Sequence, residues 1–459
     1  MNLETEKDSE ALETSLLDGQ KTTLANELPS ELLVHIFEMA QNMFFPLEQH
    51  LSWRFPFVLG KVSRYWRQVA YGAPTLWSSV DIESPRRDLD GLQVYLGRSK
   101  DSPIDLHLTY NITSTPTPLS QTGVSTFIGI LQPHYRRCRS IRVTSENSHK
   151  FTMEISSILG SMCKGHYPTL QHICVEGFDT SMDVQAFAIV ADAVNLRSVR
   201  LGGLGLSYCR PPLTAVTQLH LAVSNHPILY TDFSKMLRSC RCLVTLCVYD
   251  DFVLEWPTDL HDTYDMPFLR YIRIFGDMLG VSQLLLSISA PDLEGLTIAP
   301  IVKNDLTKLR RETSNAPRFP ALKSLTLAPA LAKVLGLGAV ADANACFPGI
   351  KLLFLPNYNR FTESFKTANS RPFWPELDGL AVRDIDDEDV LYEFVQDRQR
   401  LGVPLRSLYL DPLSMSRMTR MDWLKGQLSV VEADPWKIQC EDNFYGDAET
   451  RFIGTSWGQ

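Results

Sequence analysis

A short apolar motif, L-x-x-L-x-L with valine or isoleucine in place of some leucines, constrains this chain more than any other feature. It runs Leu170/Ile173/Val175, Leu196/Val199/Leu201, Val216/Leu219/Leu221, Leu243/Leu246/Val248 and Leu269/Ile272/Ile274. It continues as Leu293/Leu296/Ile298, Leu322/Leu325/Leu327, Ile350/Leu353/Leu355, Leu377/Leu380/Val382 and Leu405/Leu408/Leu410. Looser copies precede these at Leu106/Leu108 and Cys138/Ile141/Val143. Residues two apart on a strand share a face, so the last two apolar positions of each copy point to one side. A single unit is too short to fold by itself. Ordering about 26 residues costs more conformational entropy than burying three leucine-type side chains returns. Neighbouring units must therefore stack, and the pattern predicts an α/β array with a parallel sheet along one side.

The motif resembles the leucine-rich repeat, which implies a strand followed by a helical or irregular return, stacked into a curved solenoid. The asparagine that usually follows the last leucine is missing, so irregular turns are expected. At ~4.8 Å per strand, eleven or twelve strands would make an arc of roughly 50 Å. Asn111–Gly123, Thr313–Pro320 and Asn357–Pro375 are rich in turn-forming residues and read as rim loops.

The N-terminal part follows a different rhythm. Residues 1–23 carry Glu4, Glu6, Asp8, Glu10 and Glu13 with little apolar content and read as a disordered acidic tail. From Leu28, the positions Leu32/Leu33, Ile36/Phe37, Ala40 and Met43/Phe44 recur at helical spacing. Pro29 and Glu31 suit the first turn. A second helix is expected over 57–71, with Val58, Val62, Trp66 and Val69 on one face and Gly72, Ala73 and Pro74 ending it. The strings Leu28-Pro29-x-Glu31-Leu32-Leu33-x-x-Ile36-Phe37 and Val62-Ser63-Arg64-Tyr65-Trp66-Arg67-x-Val69-Ala70, followed by Ala73-Pro74-x-Leu76-Trp77-Ser78, resemble an F-box of the fungal type. The resemblance covers residues 24–80. It implies docking of Leu28, Pro29, Glu31, Leu32, Ile36, Phe37, Val62 and Trp66 to a Skp-type adaptor, and through it to a cullin–RING ubiquitin ligase. The stretch between Phe37 and Trp66 is longer than usual, and its insert, Asn42–Phe55, holds Phe44, Phe45, Trp53 and Phe55. The expected organisation is a tail at 1–23, an F-box at 24–80, repeats at 81–433 and an aromatic cap at 434–459.

Composition excludes several classes. A net charge of −9 offers no bulk attraction to nucleic acid or anionic lipid. The longest uncharged apolar run, Val334–Ala341, is far shorter than the ~20 residues of a membrane-spanning helix. No positively charged, apolar leader is visible, and nine cysteines are an odd number, so reduced thiols in the cytoplasm or nucleus are expected. Gly336-x-Gly338-x-x-Ala341 imitates a dinucleotide fingerprint but follows no strand directly, and no acid stands near position 360. Cys240, Cys242 and Cys247, with His226 and His261 nearby, match no zinc spacing. Asp384, Asp386, Asp387, Glu388 and Asp389 read as the start of a helix over Glu388–Leu401. No catalytic residue, metal or cofactor is therefore expected. What remains is recognition of a target protein, on the residues flanking the strand leucines. Arg200, His220, Tyr249, Tyr271, Arg273 and Phe275 should form one open patch, with Phe354 and Tyr409 further along.

Overall fold

The computed structural model describes residues 28–44, 55–83, 89–110, 121–150, 153–179, 188–222, 227–257, 263–313, 317–329, 337–356 and 372–433, except positions 277, 279, 303, 384 and 386. The expected tail at 1–23, most of the Asn42–Phe55 insert and the cap at 434–459 lie outside these residues. The chain is a mixed α/β protein of two compact units. Unit 1 comprises Met1–Tyr110 with Leu119–Arg142, and unit 2 comprises Asn111–Pro118 with Val143–Gln459.

Unit 1 opens with helix α1 (Ser30–Phe44). The second helix expected over 57–71 is two, α2 (Phe55–Val62) and α3 (Arg64–Gly72). The break is chemical. Ser63 is extended, at φ −153°, and its hydroxyl accepts the Trp66 N–H at 3.1 Å, capping α3. A single turn of 3₁₀ helix, Pro74–Trp77, then leads into β1 (Ser79–Glu83), which pairs in parallel with β2 (Ile104–Tyr110) across helix α4 (Leu89–Arg98). Trp77 is the hub of this unit. Its indole N–H donates to the Ala70 carbonyl at 2.9 Å, and the rings of Phe57, Tyr71 and Tyr95 surround it at 5.1, 5.6 and 4.9 Å. Arg98 lies over Tyr71 and Trp77, 3.8 and 4.6 Å from the ring centres. Helix α5 (Gln121–Leu131) and β3 (Cys138–Lys150) follow, the division between units falling within β3.

Unit 2 is dominated by a long parallel ladder. Its strands are β4 (His172–Asp179), β5 (Ser198–Gly202), β6 (Gln218–Ala222), β7 (Thr245–Tyr249), β9 (Tyr271–Phe275) and β11 (Gly295–Ile301). It goes on through β12 (Ser324–Pro329), β13 (Leu352–Leu355), β14 (Gly379–Val382), β15 (Ser407–Leu410) and β16 (Ser429–Glu432). These pair in chain order, while the two-residue strands β8 (Tyr264–Asp265) and β10 (Ile288–Ser289) pair with each other outside the ladder. The middle position of the motif stays in register: Val199, Leu219, Leu246, Ile272, Leu296 and Leu325 are successive partners, and all are buried. The first motif leucine closes a turn ahead of its strand, as in Leu196 N–H to Ala193 O (3.2 Å) and Leu269 N–H to Met266 O (3.1 Å).

The turns that leave the strands are more regular than the missing asparagine suggests. Gly177, Gly203, Asp250 and Gly276 all have positive φ, at 82, 59, 56 and 80°. Each stands two residues past the last apolar strand position. At Gly177 a side chain would run into the Ser145 carbonyl, and at Gly276 into the Asp250 carboxylate, so glycine is required for space as well as for φ. Asp387 caps helix Glu388–Arg400 by accepting the Asp389 N–H at 3.0 Å, as the acid run implied; Asp384 and Asp386 lie outside the described residues.

Candidate functional site

Two surfaces are candidates, one in each unit. In unit 1, α1 splits its apolar residues between two faces. Leu33 and Phe37 are buried, and Phe37 packs against the Trp66 ring at 4.9 Å. Gln41, on the same side, donates to the Leu76 carbonyl at 3.3 Å, and Tyr65 donates its hydroxyl to Leu28 O at 2.7 Å. The opposite stripe stays open. Leu32, Ile36 and Met39, spaced four and three apart, and Val58 and Val62 on α2 are all between 42% and 59% exposed.

This sorting corrects the expectation drawn from the sequence in two respects. Phe37 is an interior residue and offers no docking surface, while Trp66 is half-buried against it. Val58 and Val62 do not share a buried face with Val69, because Ser63 resets the helix phase between them. Leu32, Ile36 and Val62 are exposed, as are Pro29 and Glu31, with Leu28 half-buried. Met39 and Val58 belong to the open stripe and were not among the expected docking residues. The four-residue spacing from Leu32 through Ile36 was the available signal, since a stripe one position away from Leu33 and Phe37 needs its own explanation.

In unit 2, the face of the ladder opposite the motif leucines carries the residues expected to recognise a target. The structure aligns them: Arg200, His220, Cys247, Arg273, Thr297 and Thr326 are successive register partners, as are Ala222, Tyr249, Phe275 and Ala299. It also closes most of them off. Arg200, His220, Tyr249, Phe275 and Phe354 are buried, Arg273 and Tyr409 are half-buried, and Tyr271 is exposed. The reason is lateral stacking. Tyr249 stacks on Phe275 at 5.2 Å and on His220 at 6.4 Å, and Cys247, Ala299 and Ala328 complete the cluster. Residues alternating on parallel strands at ~4.8 Å spacing touch one another before they touch a partner. The open patch of six expected here is instead an internal layer, with Tyr271 at its exposed margin.

The electrostatics of this layer follow from burial. Arg200 Nε donates to Glu176 Oε1 at 2.6 Å, and the guanidinium sits 5.2 Å from the Tyr249 ring centre. Burial works against the Arg200 charge, but Glu176, Tyr249 and Cys174 outweigh it and hold the guanidinium charged. His220 is shifted towards its neutral form. Burial, with Arg200 and Arg273 beside it, pushes its pKa well below the usual histidine range, so it is neutral at physiological pH.

Burial also pushes the Cys138, Cys209, Cys240 and Cys346 thiols up to about 12, which leaves them protonated and poorly nucleophilic. Among the described residues, no group of three His, Cys, Asp or Glu side chains is placed to hold a metal ion. Gly338 and Ala341 lie inside helix Leu337–Cys346 rather than at a strand-to-helix turn, and Gly336 lies outside the described residues. No helix among the described residues is long and apolar enough to cross a membrane. No known family and no curated protein matches the chain in comparison.

Proposed function

We propose that the chain is the target-recognition subunit of a Skp–cullin–F-box ubiquitin ligase. In this reading α1–α3 form the F-box that docks the adaptor, and the unit 2 ladder is an irregular leucine-rich-repeat solenoid that holds a target protein. Its activity is proximity: the target is kept near a charged ubiquitin carrier at high effective concentration, with no bond chemistry in this chain. The compartment is then the cytoplasm or nucleus.

The observation that carries the reading is the open apolar stripe Leu32, Ile36, Met39, Val58 and Val62, on a helix set whose interior is already filled by Leu33, Phe37 and Trp77. The α1 residues Leu32, Ile36 and Met39, at helical spacing, make an apolar stripe of the kind a partner covers. Three of the five exposed residues, Leu32, Ile36 and Val62, are among those that carry the F-box resemblance. Changing Ile36 and Val62 together to glutamate should reduce co-purification of a Skp-type adaptor at least tenfold. The helices should persist, because both side chains are exposed. Adaptor capture equal to wild type by a folded double variant would make the helix set a cap on the array, and the chain a scaffold outside any ligase.

A further inference from the structure

The residue just ahead of each strand belongs to a continuous row in unit 2. Glu294 N–H donates to Arg270 O, Lys323 to Glu294, Lys351 to Lys323, Asp378 to Lys351 and Arg406 to Asp378, at 2.8 to 3.1 Å. These bonds set six charged side chains along one rim, ~4.8 Å apart. Both acids are already engaged: Glu294 by Arg270 at 3.2 Å and Asp378 by Arg406 at 3.5 Å. Lys323 and Lys351 are exposed neighbours and make no ion pair among the described residues. The row runs on past Arg270 to Val244, Thr217 and Arg197, and beside Arg270 stand two aromatic side chains open to solvent, Phe268 (57% exposed) and Tyr271 (40%). The Tyr271 ring lies along the next strand at Gly295, where a β-carbon would sit 2.8 Å from its Cδ1. Glycine there leaves room for the ring, whose hydroxyl donates to the Glu294 carboxylate at 3.5 Å.

We propose that this rim binds an extended acidic segment of a protein, with an aromatic or aliphatic side chain on Phe268 and Tyr271 and a pair of carboxylates on Lys323 and Lys351. The identity of that protein as a ligase target rests on the reading above; the rim itself does not. Three strand steps, ~14 Å, separate Tyr271 from Lys351, which an extended peptide spans with about four residues. The buried state of Arg200, His220, Tyr249 and Phe275 leaves the rim, not the strand centres, as the place of contact.

The test is fluorescence anisotropy on the full chain, with a labelled peptide carrying Trp and, about four residues on, two glutamates; the control peptide carries two lysines instead. The acidic peptide should bind and weaken steeply between about 50 and 300 mM salt. Lys323→Glu with Lys351→Glu should weaken it at least tenfold, and Phe268→Ser with Tyr271→Ser by a similar factor, with circular dichroism unchanged. No binding, equal binding of the lysine control, or indifference to the charge reversal would overturn the proposal. So would binding that emerges only once residues 1–23 are removed, since the rim would then belong to the chain's own acidic segment. Adaptor capture is measured on the same preparations. Failed peptide binding with intact adaptor capture overturns the rim alone, and the converse overturns the ligase reading alone.

Discussion

Gly276 shows how one residue type sets a turn. Its φ of 80° belongs to the left-handed region, and its N–H donates to Ala299 O at 2.8 Å while the Asp250 carboxylate occupies the space a side chain would need. Gly276→Ala should therefore lower stability by about 1–3 kcal/mol. The measurement is the urea midpoint at unchanged m-value; a midpoint equal to wild type would mean the turn re-forms elsewhere. The signal for this position was in the sequence, as glycine or aspartate two residues past four of the strand motifs, but only the structure shows that the four share a positive φ. Tyr249 and Phe275 were not legible in the same way. An aromatic side chain on a strand reads identically whether it faces solvent or its neighbour's ring, and here stacking at 5.2 Å decided the matter.

Between strands, arginines hold the return segments by their carbonyls. Arg210 donates to Leu206 O, Ser207 O and Cys209 O, and Arg318 to Leu286 O and Ile288 O. Arg398 is the most buried of them. It donates to Phe373 O, Trp374 O and Leu377 O at 3.0, 3.1 and 3.4 Å, and burial pushes its pKa down to about 10. Two effects oppose each other in Arg398→Met. A desolvated cation is removed, but three carbonyls lose charge-assisted donors worth about 1.5–3 kcal/mol each. The second is larger, and a net loss of about 2–4 kcal/mol should appear in urea unfolding. A neutral or stabilising result would show that the carbonyls find water. The helix start at Asp387 was legible from its acids, but the one at Ser63 was missed: Ser63 splits the expected 57–71 helix because a hydroxyl that accepts from the backbone ahead competes with the helix behind it.

At the scale of the whole molecule, unit 2 is a stack in which each strand pairs with its neighbours in the ladder. Stopping the chain after Glu312 removes β12, the partner of β11, and uncovers Leu296 and Ile298 together with the free edge of that strand. Such a fragment should aggregate and lose its cooperative urea transition, as measured by size exclusion and far-ultraviolet circular dichroism. A monomeric, cooperatively unfolding product would mean that an independent folding boundary lies within the ladder. Unit 1 draws its coherence from a different source, the aromatic set around Trp77, rather than from repeated leucines.

The sequence by itself determined the α/β class, the ladder, its register and the helical start, because a motif of fixed internal spacing places the same backbone atoms opposite one another in every unit. It also located the helices whose outer stripe is the adaptor-docking candidate. Tertiary structure alone decided which apolar residues of those helices face out, since Leu32 and Leu33, or Ile36 and Phe37, are indistinguishable until the interior chooses one of each pair. It likewise moved the candidate target contact from the strand centres to the rim. Side chains that alternate correctly for exposure are still buried when the next strand, ~4.8 Å away, supplies a ring to stack on, and that neighbour lies more than twenty residues off in the chain.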